Sequence, residues 1–122
     1  MKGSVNSKLV AIVELRLLDK NGREQIVEAI VDTGFNGYLT LPTNIIGRLD
    51  CPYLGRGHAV LADGSEDIFN IYEVDVLWDN QLKQVEVDVV ECTPLLGMAL
   101  LENYSIQISV IAGGKVLILP LP

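Results

Sequence analysis

Apolar and polar residues alternate along most of this chain. "KLVAIVELRLL" (8–18) has the period of two that predicts a strand. Asp19-Lys20-Asn21-Gly22 follows, and Asn-Gly between two such runs signals a hairpin turn. "REQIVEAIV" (23–31) is the return strand, and "YLTLP" (38–42) is a short strand closed by proline. "GHAVLADGSEDIFNIYEVDVLW" (57–78) predicts a second hairpin turning at Asp63-Gly64. Trp78-Asp79-Asn80-Gln81 reads as a third turn, into "LKQVEVDVVE" (82–91). There Val85, Val87 and Val89 share one face, with Glu86 and Asp88 on the other. "SIQISVI" (105–111) and "KVLILP" (115–120) are the last strand candidates. Many short strands with glycine-bearing turns predict an all-β sandwich or barrel.

Two segments depart from alternation. "PTNIIGRL" (42–49) predicts one or two turns of helix, with Thr43 as N-cap and Gly47 keeping it short. "PLLGMALLENY" (94–104) predicts a second short helix, after Gly97. No repeat or linker interrupts the pattern, so residues 1–122 are expected to form a single domain.

Composition narrows the partners. Hydrophobic residues make up 49% of the 122, enough for a core without disulfide or metal staples. A formal charge of -7 argues against nucleic acid or an anionic membrane surface as the main partner. In "MKGSVNSKLVAIVELRLL", Glu14 and Arg16 interrupt the apolar run, against a signal peptide. No stretch reaches the roughly 18 apolar residues of a membrane span. The expectation is a soluble, cytoplasmic protein. Cys51 and Cys92 lie outside any CxxC or Cys/His pattern, so two reduced, buried thiols are expected rather than a bridge or a zinc site. His58 is expected to be a surface or hydrogen-bond-satisfied residue, and Glu73, Asp75, Glu86 and Asp88 are expected on solvated faces.

The candidate chemistry sits in "AIVDTGFNG" (29–37). An apolar strand delivers a carboxylate, Asp32, to its own end. Gly34 lets backbone approach closely and offers an open N–H. Thr33 brings a hydroxyl that can donate and accept. An acid presented by a rigid frame suits general acid–base work. "LLG" at Leu95-Leu96-Gly97 lies well downstream, with the glycine-bearing hairpin between the two. Gly-x-Ser-x-Gly, His-Glu-x-x-His and phosphate-loop motifs are absent.

"AIVDTGFNGYLTLP", the hairpin around "LADGS" and "VVECTPLLGMALLENYSIQI" together resemble a retropepsin-like aspartic protease, of the single-domain prokaryotic type, over roughly residues 8–120. The resemblance implies a retropepsin-like acid-protease barrel with one or two short helices. It implies a homodimer whose Asp-Thr-Gly loops meet at a two-fold axis, with Asp32 as the catalytic residue from each copy. Thr33 bridges to the other copy's loop, and Gly34 places its N–H near Asp32. Leu95, Leu96 and Gly97 support the active-site loop. Residues 60–69 form a flap over substrate, with Ala62, Asp63, Gly64 and Ser65 at its tip. Phe35 stands where the family often has a small Ala or Ser, and a ring there narrows the cleft or shapes a substrate pocket. Retroviral members often end in a short strand that knits the dimer; "KVLILPLP" stands in that place, but Pro120 and Pro122 remove N–H donors there, so the dimer contacts are expected to differ from the viral ones.

Pairing also follows from the chemistry. Peptide hydrolysis by activated water needs a base and an acid together. Two close carboxylates sharing one proton supply both, because adjacent like charges do not ionise together readily. A chain with one Asp-Thr-Gly makes that dyad only as a C2 dimer. The expected activity is thus an aspartic endopeptidase acting on an extended peptide or protein substrate at mildly acidic to neutral pH, with no metal or organic cofactor. The alternative is a non-catalytic dimerisation or peptide-binding module on the same fold. Phe35 filling the cleft favours the binder; carboxylates open to a cleft favour the enzyme.

Overall fold

The computed structural model describes residues 1–122. It contains ten strands in one sheet and a single helix. The strands are β1 (Lys2–Val5), β2 (Ala11–Leu18), β3 (Glu24–Val31), β4 (Leu39–Leu41), β5 (Tyr53–Val60), β6 (Glu66–Trp78), β7 (Gln81–Val89), β8 (Leu95–Leu96), β9 (Tyr104–Ile108) and β10 (Lys115–Pro120). The helix, α1, spans Thr43–Leu49 between β4 and β5.

The local chemistry explains the turns. Asp19 Oδ1 accepts the N–H groups of Asn21 and Arg23 at 2.8 and 2.9 Å, and Gly22 takes the left-handed φ of 78° that closes the β2–β3 hairpin. Asp79 and Asn80 both have positive φ, 50° and 63°, the backbone of a two-residue hairpin turn whose twist matches β6 and β7.

Strand pairing closes a ring. β2 pairs β3, β3 pairs β8, β8 pairs β4, β4 pairs β7, β7 pairs β6, and β6 returns to β2 through Arg16, Leu17 and Leu18. β5 hangs from the free edge of β6, while β1, β10 and β9 extend the sheet from the other part of β2. Inward positions alternate along each strand: Val13, Leu15 and Leu17 on β2, Val74, Val76 and Trp78 on β6, Val85 and Val87 on β7. Leu39, Leu41 and Leu96 are fully buried among them, and Ile46 and Leu49 of α1 join the same core. Trp78 meets Tyr104 edge-on, with ring centroids 5.6 Å apart.

Several expectations change. Thr43 is the first helical residue, not the cap. Pro42 caps α1 in an extended conformation, and the Thr43 N–H donates instead to Glu91 Oε1 at 2.9 Å. The segment after Gly97 is not a helix but a run of tight turns: Leu100, Leu101 and Tyr104 N–H groups reach carbonyls three residues back. Asn103 ends it at φ 70°. β1 joins the sheet, although its sequence carries little alternation. Cys51 is half-buried but Cys92 is exposed, and both are free thiols. Burial pushes the Cys51 thiol up. Glu86 is solvated as expected, whereas Glu73, Asp75 and Asp88 are half-buried. Burial, and then the nearby Glu86, hold the Asp88 carboxyl above its usual range. His58 is exposed. No helix is long and apolar enough to cross a membrane.

Candidate active site

Asp32 follows directly on β3 and is half-buried. Its backbone is fixed before its side chain is considered. β8 runs parallel to β3, pairing Ile30 with Leu95 and Val31 with Leu96. The Ile30 N–H donates to Pro94 O at 2.8 Å, and the Asp32 N–H donates to Leu96 O at 2.9 Å. The next residues turn at once, with the Phe35 N–H returning to the Asp32 carbonyl at 3.2 Å. That turn carries the Gly34 N–H to Asp32 Oδ1 at 2.9 Å. Oδ2 has no partner within the chain, and neither has the exposed Thr33 hydroxyl.

The segment Leu95-Leu96-Gly97 lies between two arms of the chain. On its far side Leu96 pairs with Leu39 of β4, and the Gly97 N–H donates to Tyr38 O at 3.0 Å. Met98 and Ala99 N–H groups then reach Phe35 O and Gly37 O at 2.8 and 3.1 Å. Five backbone hydrogen bonds thus join this segment and its flanks to the Asp32 loop and its approaches. The sequence brought these two segments together as candidates, and the structure brings them into contact.

Gly97 is there because nothing larger fits. A Cβ on it would collide with the Gly37 carbonyl oxygen and stand 2.6 Å from Phe35 Cδ2. The Phe35 ring is thus packed against the segment that supports the loop. It folds back on the loop, where a Cβ at Gly37 would stand 2.5 Å from Phe35 Cζ. Pairing a large ring with two glycines is one packing solution.

Sequence reasoning missed Thr40. It is 3% exposed on β4, and its Oγ1 accepts the Leu95 N–H at 2.9 Å. The available signal was a lone polar residue inside the apolar run "YLTLP". Its partner lies 55 residues away, beyond any local pattern.

Residues 62–65 form the tip of the β5–β6 hairpin. Its hydrogen bonds close on themselves: Ser65 N–H and Oγ both donate to Asp63 Oδ1, at 2.9 and 2.6 Å. Those two bonds hold the Asp63 carboxyl below its usual range. No hydrogen bond links the tip to the Asp32 loop.

The surface around Asp32 has little charge. β2 pairs Ile12 with Ile30 just before Asp32, and beyond that pair the chain turns back at residues 6–10, where Leu9 takes a φ of 62°. The 109–114 loop is tied beside that turn by bonds between Val5 and residues Gly113 and Gly114. Leu9, Met98, Val110 and Ile111 are 58, 44, 61 and 66% exposed at this end. Lys8, Asp32 and Glu102 are the charged residues of segments 6–10, 32–37, 97–103 and 109–114.

No protein-family profile matches the sequence, and no curated protein matches it either. The fold does have a counterpart. A crystal structure titled as a retropepsin-like aspartic protease from Rickettsia conorii superposes with a TM-score of 0.61, over 100% of this chain and 91% of that one, at 16% identity. The fold is retropepsin-like. In this chain that fold takes the form of a closed ring of strands with β8 between β3 and β4. At this identity the likeness speaks for the frame and not for the chemistry at its end.

Proposed function

We propose that the protein is a homodimeric aspartic endopeptidase that activates water between two Asp32 carboxylates, one from each copy. The observation that carries this is the presentation of Asp32: a half-buried carboxylate at a strand end, oriented by the Gly34 N–H at 2.9 Å, with its second oxygen uncommitted. One carboxylate takes a proton as water attacks the scissile carbonyl, while the other protonates or polarises the carbonyl oxygen. The unpartnered Thr33 hydroxyl supports a bridge to the second copy's loop. Leu95, Leu96 and Gly97 carry the Asp32 backbone, and Ala62, Asp63, Gly64 and Ser65 close over an extended peptide.

The weakly charged end around Asp32 supports pairing with a second copy. A chain of formal charge -7 repels itself over most of its surface, and least where exposed aliphatic side chains stand among few charges. Phe35 packed on Gly37 and Gly97 supports the enzyme over a purely binding module, since the ring is engaged by its own loop and by the segment beneath it.

The test is cleavage of a diverse peptide library from mildly acidic to neutral pH by wild type and Asp32→Asn, with both sized in the same buffers. Cleavage by the wild-type dimer and none by a dimeric Asn variant is the expected result. A well-folded wild-type dimer that cuts nothing turns the assignment to the binding module.

A further inference from the structure

The chain contains two Asn-Gly pairs, and the fold treats them differently. Asn21-Gly22 sits in the β2–β3 turn, where the Gly22 N–H donates to Asp19 O at 2.9 Å and the Asn21 N–H is held by Asp19 Oδ1 at 2.8 Å. Asn36-Gly37 sits in the Asp32 loop. Asn36 is exposed, its side-chain amide has no partner within the chain, and the Gly37 N–H makes no hydrogen bond there. Among the other asparagines, Asn6 spends its Oδ1 on the N–H groups of Lys8 and Val10, at 2.9 and 3.0 Å. Asn44, Asn70, Asn80 and Asn103 precede Ile45, Ile71, Gln81 and Tyr104, whose side chains crowd the following nitrogen.

We propose that Asn36-Gly37 is a site of spontaneous deamidation, selected by the fold over Asn21-Gly22, which ages the Asp32 loop. The Gly37 backbone nitrogen attacks Asn36 Cγ. The N–Cγ bond forms, the Cγ–Nδ2 bond breaks, and the Gly37 proton leaves with the departing nitrogen as ammonia. Water then opens the five-membered imide at either carbonyl. The products are aspartate, or isoaspartate with the main chain running through the former side chain. A glycine on the C-terminal side leaves the attacking nitrogen unshielded. An N–H already committed to a carbonyl must first be released, and one such bond amounts to a factor of about five in population.

The products matter because of their neighbours. Either one adds a carboxylate to a loop whose only charged residue is Asp32. Isoaspartate also lengthens the main chain by one methylene just before Gly37. The Gly37 carbonyl there accepts the Ala99 N–H at 3.1 Å and already excludes a Cβ from Gly97. The extra length displaces the contact that holds the loop on its support. None of this depends on the proposed proteolysis.

The test ages the full chain at mildly alkaline pH and follows both sites by peptide mapping, with isoaspartate read by isoaspartyl methyltransferase labelling. Wild type is compared folded and in urea, alongside Asn36→Gln and Asn21→Gln. In urea the two pairs are expected to convert at similar rates. In the folded protein position 36 is expected to convert about five-fold or more ahead of position 21. Asn36→Gln is expected to abolish most ammonia release, and Asn21→Gln to leave it nearly unchanged. Position 21 keeping pace with position 36 in the folded protein overturns the proposal. So does a folded position 36 that stays intact while the unfolded chain converts. Aged wild type melting no lower than aged Asn36→Gln removes the claimed consequence for the loop.

Discussion

The segment 94–97 and the hairpin tip 60–66 are both short pieces of chain carrying one glycine, and they are built in opposite ways. The first is clasped from both sides, by β3 and β4, with Leu96 and Leu100 wholly buried. The second has one strand neighbour per arm, and Val60, Leu61 and Ile68 lie 68, 48 and 63% exposed. Rigid support lies beneath the carboxylate, and a compliant arm stands away from it. Local stability follows such differences in burial and bonding, so the two regions belong to different opening units.

The sharpest way to break the contrast is to add the same methyl group to both. Gly97→Ala meets the Gly37 carbonyl and the Phe35 ring, and is expected to cost about 3 kcal/mol or more, or to prevent folding. Gly64→Ala enters open space and bears only the strain of a φ of 85°, about 1 kcal/mol confined to the tip. Urea unfolding of both variants checks this. Similar losses would mean that the clasp is looser than its contacts indicate.

Truncation gives the next effect. Leu96→Ala is expected to lose about 2–5 kcal/mol, because it opens a cavity in a closed ring. Ile68→Ala is expected to stay within about 0.5 kcal/mol of wild type. The same denaturation series measures both.

A smaller effect isolates the hydrogen bond that pins β8. Thr40→Val leaves the half-buried Leu95 N–H without its acceptor, for about 1 kcal/mol or more, while Thr40→Ser keeps the oxygen and most of the stability. Amide exchange at Leu95 should accelerate in the Val variant and not at Leu61.

The smallest effect is electrostatic. The Thr43 side chain and backbone N–H hold the Glu91 carboxyl below its ordinary range, and the bonds from Ser65 do the same for Asp63. A depressed carboxyl contributes stability that is present above its unfolded pKa and is lost as pH falls through the folded value. Glu91→Gln should therefore flatten the acid limb of the global stability profile slightly. Ser65→Ala should raise the Asp63 pKa, followed by NMR titration, yet leave global unfolding unchanged. A global effect from Ser65→Ala would merge the two regions into one unit.

The same division explains what was legible in the sequence. β2, β3, β6 and β7 show clear alternation because each buries one face in the ring. Asp32 was legible because an apolar strand stops on an acid. β1 was not, since "KGSV" contributes one buried side chain and is recruited by β10 from the far end of the chain. The leucines after Gly97 imitate a helix, but Leu100 and Leu101 point into the core from successive turns. Thr43 is displaced as a cap by Pro42 before it and by Glu91 reaching in from a distant segment. For β1 and for Thr43 a partner remote in sequence contributes to the outcome.

The parallel pairing of Ile30 with Leu95 has a consequence in time. A contact spanning that much chain carries a large loop-closure entropy, and long-range parallel pairs form slowly. During synthesis the first hairpin can close as soon as it emerges, while Asp32 waits without its backbone partner until Leu96 has been made. Until then the chain carries the acid and its local turn, but not the Leu96 carbonyl that fixes the Asp32 backbone.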